Sequence, residues 1–369
     1  MSLKPPPASD TVLWTLYAYS LPLSAPLYVR KPASSEKQAT HFRKGFVIRL
    51  EDPAGAFGYG EISPLPGLHR ESLEHIQTQI SQLHELTGLR ALLKLEDCYP
   101  SLRFGLEMAQ QNLQAAQQKR PLVQLLSTKA HTHLPIQKLL TAPLAQLQEV
   151  SQQALQEGYT CFKLKVGGRS LEEDITRVHR LRESIGPQGK IRLDANRAWP
   201  LEQAVRFGKE LHKCQIEFIE EPLQNPSELS SFYQQTGISI ALDESLSECT
   251  QASALSIPEG TAAFVLKPAL LGGYIMTNKW LNIAQERGYL AVISSCFESH
   301  LGLSYLASWA AAIPQRKTAM GLGTGGWFQE NLLASPWSLK NGEWSLFEVH
   351  QKSCQIRTHR LEEVSHGIF

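Results

Sequence analysis

Between residues 134 and 322 the sequence alternates short apolar segments with helical patterns, and this alternation constrains the fold more than any other feature. Helical patterns such as Leu171–Ile185 separate segments that have the length and composition of buried strands. The segments are Leu134–Leu140, Cys161–Val166, Lys190–Ala195, Glu217–Pro222, Ser239–Leu242, Ala263–Lys267, Leu290–Ser294 and Ala319–Leu322. Regular repetition of strand and helix favours a closed α/β barrel over the alternative, an open doubly wound sheet.

The chain before residue 133 has a different organisation. Strands are expected at Thr11–Tyr19, His41–Leu50 and Phe57–Ile62, and helices at His75–Leu86 and Ser101–Ala116. Strands followed by helices predict a separate α+β unit. In the tail after residue 326, Trp337–Val349 is expected to return to this unit as strands.

Composition excludes several functional classes. The net charge of +1 over 369 residues gives no electrostatic basis for binding nucleic acid or an anionic membrane. The longest apolar stretch, Leu301–Ile313, is too short to span a bilayer. The six cysteines form no CxxC pair, and the N-terminus has no signal-peptide pattern. We therefore expect a cytoplasmic protein in a reducing compartment, and its oligomeric state stays open.

Two lysines interrupt the second barrel segment. Side chains of a strand alternate between its faces, so Lys163 and Lys165 lie on one face while Phe162, Leu164 and Val166 lie on the other. Lysines inside a barrel indicate a ligand or anion there, because a buried ammonium needs a partner. Lysines on an exposed edge strand would instead discourage aggregation. The segment alone does not decide between these interpretations.

The ends of the neighbouring strands favour the functional interpretation, because active sites of such barrels lie at the carboxyl ends of the strands. Three consecutive strands end in Asp194, Glu220 and Asp243, and the next ends in Lys267. A single strand-end carboxylate is most often a helix N-cap and a single lysine is most often solvated. An ordered series on five successive strands is hard to explain in that way.

The series predicts a metal site with a defined chemistry. Oxygen ligands from three strands suit Mg²⁺, whereas thiolate or imidazole ligands for zinc are missing from these strand ends. A metal ion that holds a substrate carboxylate stabilises the enediolate formed when the α-proton leaves. Clustered positive charge lowers the pKa of a lysine, so that one lysine can act as the base.

These residues carry a resemblance to a known family. The series Lys163-x-Lys165, Asp194, Glu220, Asp243 and Lys267 resembles the muconate-lactonizing subgroup of the enolase superfamily. Within that subgroup, six stretches resemble the o-succinylbenzoate synthase family. They are GYGEISPLPG (58–67), IRLDANRAW (191–199), IEEPL (219–223), ALDESL (241–246), VLKP (265–268) and ISSCFESHLGL (293–303).

The resemblance implies an architecture and an activity. It implies a modified (β/α)7β TIM-like barrel at 133–326, with an α+β capping domain formed by residues 1–132 and completed by the segment 327–369. The implied activity is a Mg²⁺-dependent syn dehydration of a small-molecule carboxylate, with Mn²⁺ as the alternative metal. The loop 58–67, which looks like an ordinary tight loop on local grounds, would help to close the capping domain over the substrate.

The resemblance also assigns roles to individual residues. Lys165 would take the α-proton and return it to the departing hydroxyl, Lys163 would stabilise charge on the carboxylate, and Lys267 would act from the opposite side of the ring. The metal ligands would be Asp194, Glu220 and Asp243, with Glu221 as second choice to Glu220. The substrate would contact Arg192, Ser294, Ser295 and Gly321, and Asn196 would be an outer partner of the site.

Other interpretations remain. A racemase or epimerase, such as one acting on N-succinylamino acids, would use the same residues with Lys165 and Lys267 alternating as bases. A barrel retired to binding or regulation would be expected to lack a ligand or a base, and none is missing. The GxGxxG pattern at Gly321–Gly326 lacks a following βαβ unit and does not indicate a dinucleotide site. His300 is expected to be structural or solvated.

Overall fold

The computed structural model describes residues 12–30, 37–81, 97–249 and 255–368. The described strands are β1 Leu13–Arg30, β2 Lys37–Glu51, β3 Phe57–Ile62, β4 His133–Pro135, β5 Lys138–Leu140, β6 Cys161–Lys165, β7 Lys190–Asp194, β8 Ile216–Glu220, β9 Ile240–Leu242, β10 Thr261–Leu266, β11 Leu290–Ile293, β12 Glu343–Ser345 and β13 Glu362–Ile368. The described helices are α1 Leu73–Ser81, α2 Pro100–Gln117, α3 Leu122–Leu126, α4 Leu144–Gln156, α5 Leu171–Ile185, α6 Leu201–Glu210, α7 Leu229–Thr236, α8 Glu244–Ser247, α9 Pro268–Leu271, α10 Gly273–Arg287, α11 His300–Ala312 and α12 Leu346–Ser353.

Parallel strands form the barrel in the order β5-β6-β7-β8-β9-β10-β11. The expected eighth strand, Ala319–Leu322, is reduced to two isolated bridges, from Met320 to Ile136 and from Gly321 to Ser294. Backbone hydrogen bonds accompany these bridges, with Gln137 donating to Met320 at 3.0 Å and Gly321 donating to Ile293 at 2.8 Å. The segment therefore joins the first strand of the sheet to the last, and the predicted barrel is confirmed.

The expected first barrel strand, Leu134–Leu140, is divided at Ile136. Its first part, β4, pairs antiparallel with β12. Its second part, β5, pairs parallel with β6 inside the barrel. One apolar run thus supplies two sheets, which periodicity alone does not reveal.

A four-stranded antiparallel sheet with the order β13-β1-β2-β3 covers one end of the molecule. Helix α2 packs closely on β3, since a Cβ at Gly60 would lie 1.8 Å from the carbonyl oxygen of Gly105. The glycines of the 58–67 stretch therefore permit close contact between strand and helix. A buried cluster including Trp14, Phe46 and Leu106 fills this unit.

The C-terminal expectation was wrong in its location. Within Trp337–Val349, only β12 is a strand, and the segment continues as helix α12, in which Leu346 and Val349 are buried at a helical spacing. The strand that returns to the first sheet is β13, where Ile368 pairs with Leu13. Helix α1 ends at Ser81, and residues 82–86 of the predicted helix, like Thr11 of the first predicted strand, lie outside the described residues.

Helix length and composition bear on membrane insertion. Among the residues that the structure describes, no helix combines the length and the apolar content needed to cross a membrane.

Candidate active site

The barrel register brings the charged strand ends to one level. Lys165 pairs across the sheet with Asp194, and Asp194 pairs with Glu220 on the next strand. Asp243 directly follows β9, and Lys267 directly follows β10. Parallel strands that end at one edge thus gather the predicted carboxylates and lysines at the mouth of the barrel.

Lys163 lies at the centre of this arrangement. Its Nζ atom donates to Glu220 Oε1 at 2.9 Å and Oε2 at 2.7 Å, and it lies 2.7 Å from Asp194 Oδ2. Lys165 Nζ contacts the same Asp194 oxygen at 2.6 Å. Lys267 forms an ion pair with Asp243. The interior charges expected from the sequence are therefore paired with each other.

Burial and neighbouring charges set the pKa values of these groups. Burial raises the pKa of Glu220 to about 8, and the charge of Asp194 adds to the effect. Burial also acts to raise the pKa of Asp194, but Lys163 and Lys165 outweigh it and hold that pKa well below its usual range. A cluster of buried carboxylates favours added positive charge, which a divalent cation would supply.

Lys163 and Lys267 do not have the lowered pKa that is expected of a lysine among other positive charges. Burial acts to lower the pKa of Lys163, but Asp194 and Glu220 outweigh it and raise that pKa above its usual value. The pKa of Lys267 is likewise raised, because Asp243 and Glu244 outweigh the effect of burial. Carboxylates, and not other ammonium groups, dominate the surroundings of these two lysines.

The donor atoms fit a hard divalent cation. Asp194 Oδ1 is buried and has no hydrogen-bond partner among the described residues, although its neighbour Oδ2 contacts two lysines. Within the described part of the chain, no three His, Cys, Asp or Glu side chains are already gathered around a common metal position. The ammonium of Lys163 lies between Asp194 and Glu220 instead. Three buried carboxylates with one unsatisfied oxygen nevertheless have the chemistry that Mg²⁺ requires.

The structure distinguishes the two adjacent glutamates. Glu220 faces Lys163, whereas Glu221 is occupied by protein donors. Glu221 Oε1 accepts hydrogen bonds from the backbone nitrogens of Asp243 at 3.0 Å and Ser245 at 2.8 Å, and Arg197 Nε donates to Oε2 at 3.2 Å. Glu221 therefore holds the segments that follow β7 and β9, and Glu220 is the glutamate whose side chain faces the charged cluster.

A cleft of about 2460 Å³ lies above the barrel mouth. Lys165 and Lys267 both line it, while Lys163 is nearly buried, with 9% of its side chain exposed against 40% for Lys165. In the strand order, β6 and β10 are separated by three strands, so their two lysines stand on opposite walls. A ligand in the cleft is therefore accessible to an ammonium group from either side.

Two glutamates of the N-terminal unit fasten it to barrel helices. Glu61 on β3 accepts hydrogen bonds from the backbone nitrogens of Ser299 at 2.9 Å and Gly302 at 2.8 Å, at the start of α11. Glu107 on α2 accepts from the backbone nitrogens of Tyr274 and Ile275, at the start of α10. A carboxylate at a helix N-terminus is favourable for charge and hydrogen bonding alike.

An arginine adds a third connection. Arg43 is buried and its guanidinium donates to the carbonyl oxygens of Phe297 at 3.0 Å and Cys296 at 3.2 Å. The same group donates to Pro64 O at 3.1 Å in the 58–67 stretch. Sequence reasoning missed Arg43 and Glu107, because their partners are distant in sequence and no local pattern marks them.

Arg192 does not occupy the position expected of a substrate contact. It is 1% exposed, and Nε donates to Glu217 at 2.6 Å while one guanidinium nitrogen donates to Gln137 at 2.8 Å and to the carbonyl oxygen of Ala319 at 2.7 Å. It shares a strand face with Asp194 but lies two residues deeper in the barrel. Its contacts are internal, and it ties the segment before Met320 to the wall.

Of the remaining predicted residues, Ser295 and Asn196 line the cleft, whereas Ser294 and Gly321 do not. Ser295 lines the cleft and its hydroxyl contacts Thr324 Oγ1 at 2.8 Å. Ser294 is buried next to Gly321, where an added Cβ would lie 2.6 Å from Ser294 Oγ. Asn196 also lines the cleft, and its Oδ1 accepts a hydrogen bond from Lys165 Nζ at 2.5 Å.

His300 packs among aromatic and amide groups away from the lysines. Its ring contacts that of Trp337 edge-on, with 5.2 Å between centroids, and Nδ1 lies 2.5 Å from Asn331 Nδ2. A Cβ at Gly325 would meet the His300 ring at 2.6 Å. These contacts agree with the expected structural role.

Comparison with known proteins places this barrel in a class. A family model described as "Enolase C-terminal domain-like" matches residues 146–349. Muconate lactonizing enzyme from Pseudomonas fluorescens, solved with muconolactone, has a TM-score of 0.80 at 22% identity over 94% of this chain and 96% of that chain. N-succinyl Arg/Lys racemase from Bacillus cereus has a TM-score of 0.77 at 20% identity over 98% and 100%. These likenesses show the enolase-superfamily fold.

The N-terminal unit and the sequence relatives are more specific. A family model described as "MenC, N-terminal domain" matches residues 12–113. The o-succinylbenzoate synthase of Vibrio cholerae serotype O1 is 33% identical over 331 residues, covering 88% of this chain and 92% of that protein. The chloroplastic protein PHYLLO of Arabidopsis thaliana is 29% identical over 86% of this chain, which spans only 21% of that protein. The chain belongs to the o-succinylbenzoate synthase family, and it is an enzyme of the lyase class.

Proposed function

We propose that this enzyme catalyses the Mg²⁺-dependent syn dehydration of 2-succinyl-6-hydroxy-2,4-cyclohexadiene-1-carboxylate to o-succinylbenzoate, a step of menaquinone biosynthesis. The main supporting observation is the pair Lys165 and Lys267, which line opposite walls of one cleft above the buried Asp194, Glu220 and Asp243. The relatives named o-succinylbenzoate synthase support the choice of substrate.

Lys165 is proposed as the base. Its amine reaches the cleft, whereas that of Lys163 is enclosed by carboxylates. Lys165 takes the α-proton from the substrate ring carbon that carries the carboxylate. It then returns this proton to the hydroxyl that leaves from the neighbouring carbon, and water is released. Because the ring becomes aromatic, the elimination is strongly downhill.

The other lysines are proposed to act through charge. Lys163, held between Asp194 and Glu220, stabilises negative charge that develops on the substrate carboxylate. Lys267 does the same from the opposite wall. The unit containing β1–β3 and α2 is proposed to cap the cleft and limit the access of water, supported by the contacts of Glu61, Arg43 and Glu107 with the barrel.

The metal is proposed to be held by Asp194, Glu220 and Asp243. Mg²⁺, with Mn²⁺ as the alternative, would supply Lewis-acid stabilisation of the charge that develops on the substrate carboxylate. A dipeptide epimerase from Enterococcus faecalis with this fold was solved with Mg and a dipeptide, at a TM-score of 0.79 and 22% identity. That finding concerns the epimerase, and the donor set described above supports the same class of cation in this chain.

A spectroscopic assay tests the proposal. The purified enzyme is mixed with the cyclohexadiene substrate, first with Mg²⁺ and then with excess chelator. We expect the diene absorbance to disappear only when metal is present. Absence of turnover in a protein that demonstrably binds Mg²⁺ would contradict the proposed reaction.

The alternative is racemisation of N-succinylamino acids. The opposed lysines support it, because two bases on opposite faces of one carbon are what a racemase needs. Solvent deuterium incorporation into each enantiomer, measured separately, tests this activity. A racemase would lose exchange of one enantiomer in Lys165→Ala and of the other in Lys267→Ala, whereas a dehydratase without this activity exchanges neither.

A further inference from the structure

A short series of hydrogen bonds connects the proposed base to Glu244, a carboxylate outside the proposed metal ligands. Lys165 Nζ donates to Asn196 Oδ1 at 2.5 Å, and Asn196 Nδ2 donates to Glu244 Oε1 at 2.9 Å. The three side chains come from the ends of β6, β7 and β9. This series of hydrogen bonds thus runs along the floor of the cleft, which all three residues line.

The backbone at Asn196 is held in an unusual conformation. Asn196 has φ +43° and Arg197 has φ +56°; asparagine adopts such angles more readily than most residues, and at Arg197 the surroundings hold the backbone in this conformation. The enforcing contacts come from the loop after β9, since Arg197 contacts Glu248 Oε1 at 2.7 Å and donates to Ser245 Oγ at 3.1 Å. The amide of Asn196 is therefore aimed by its backbone as well as by Glu244.

Within the described residues, the Glu244 side chain has one hydrogen-bond partner, Asn196, beside its charge interaction with Lys267. Its second oxygen, Oε2, is buried without a hydrogen bond. Glu244 begins helix α8, which extends only to Ser247, so stabilisation of a long helix does not explain its position. Its hydrogen bond with Asn196 is thus the contact that orients the Asn196 amide toward Lys165.

We infer that Glu244 is a positioning residue for Lys165 and acts through Asn196. Glu244 fixes the orientation of the Asn196 amide, so that Oδ1 faces the ammonium and holds it at the wall of the cleft beside Asp194. Without this contact the amide can rotate and the lysine amine can leave its place. The inference rests on the proposed role of Lys165 as the base.

Kinetics of matched variants test it. We expect Glu244→Ala and Asn196→Ala each to lower kcat by roughly 10- to 100-fold, with KM within about threefold of the wild type. The double variant should be no worse than either single variant, because both interrupt one connection. Glu244→Gln keeps an oxygen acceptor for Asn196 Nδ2 and should recover most of the lost kcat. Glu172→Ala, which removes only an exposed ion pair with Arg206, is the control and should retain wild-type kcat.

Some kinetic outcomes would overturn the inference. Wild-type kcat in Glu244→Ala would show that the contact does not matter. A Glu244→Gln variant as slow as Glu244→Ala would show that charge, and not the orienting hydrogen bond, is responsible. Multiplied losses in the double variant would show two independent roles.

A second readout does not need turnover. The rate at which an amine-acylating reagent modifies Lys165, followed by peptide mass spectrometry against the exposed Lys209, reports how firmly the amine is held. It should rise several-fold in Glu244→Ala and Asn196→Ala but not in Glu244→Gln, and an unchanged rate would overturn the inference. If the wild type fails to convert the substrate, the proposed function fails, while this measurement still decides whether Glu244 positions Lys165.

Discussion

Individual residues at the barrel mouth show how burial assigns roles among similar side chains. Glu220 and Glu221 are adjacent and both buried, yet one faces Lys163 and the other binds backbone nitrogens. Arg192 and Lys163 both point inside the barrel, yet Arg192 is surrounded by groups that hold the wall together. The residue type predicts a charged group, whereas its depth along the strand determines which groups it contacts.

This limits what the sequence predicts at the residue scale. The order of lysines and carboxylates at successive strand ends was sufficient to predict the cluster, because parallel strands end at one edge. The internal role of Arg192 was not predictable, because its partners Gln137 and Ala319 belong to other segments. Glu244 was not singled out, because its neighbour Asp243 fitted the expected series and its partner Asn196 lies 48 positions away in the sequence.

His300 gives a pH-dependent prediction. Burial lowers the pKa of His300 to about 4 from its ordinary 6.5. The unfolded chain takes up a proton below pH 6.5 and the folded chain does not until about pH 4, so stability falls as the pH decreases through this window. We expect the wild type to lose about 1–2 kcal/mol at this group between pH 7 and pH 5, and His300→Gln to lose correspondingly less.

Urea denaturation at the two pH values measures this difference. The exposed Gln152, which has no titratable group, provides a control, and Gln152→Ala should keep the pH dependence of the wild type. Equal pH dependence in His300→Gln and the wild type would contradict the assignment.

At the scale of elements, the two units are joined where backbone N–H groups at helix N-termini donate to carboxylates of the neighbouring unit. Glu61 binds the start of α11 and Glu107 binds the start of α10. Neither contact follows from local propensity, since each joins residues more than 150 positions apart. Periodicity predicted most barrel strands, but the eighth was reduced to bridges and the first was shared between two sheets, because tertiary pairing decides how an apolar run is used.

The contact of Glu107 with α10 depends on a glycine. Gly273 has φ +85°, and an added Cβ would lie 2.2 Å from Glu107 Oε2. We expect Gly273→Ala to lower the free energy of unfolding by roughly 2–4 kcal/mol, because it adds backbone strain and displaces a buried carboxylate from its donors. Chemical denaturation measures the loss.

Gly288, at the other end of α10, is the matched control. It has φ +72° with no atom within 4 Å of an added Cβ, so Gly288→Ala should cost only about 1 kcal/mol of backbone strain. Equal losses in the two variants would show that the Glu107 contact adds nothing to the effect of the backbone.

At the scale of the whole molecule, the cleft is shared between the barrel and the antiparallel unit. Residues of both units line it, including Leu65 and Arg103 from one and Lys165 and Lys267 from the other. Charged residues of the central cluster, among them Lys165, Asp243 and Lys267, line it as well. Binding at the floor should therefore stabilise the whole fold and not a single loop.

Metal binding provides a global test of this view. Mg²⁺ at about 100 times its dissociation constant should add about 2.7 kcal/mol to the free energy of unfolding and raise Tm by several degrees. Asp243→Asn should remove most of the shift. Asp97→Asn, at an exposed residue that lines the same cleft, should keep it. A wild-type Tm that is insensitive to Mg²⁺ would contradict the proposed metal site.

The turnover of Lys165→Ala tests whether Lys165 is the base. With Lys279→Ala as a control for a cleft lysine of no proposed role, and circular dichroism to verify the fold, kcat is measured on the cyclohexadiene substrate. Loss of the base predicts a fall of roughly 10²–10⁴-fold or to no detectable turnover, with the fold intact. A folded Lys165→Ala enzyme that retains kcat within about tenfold of the wild type would contradict the account.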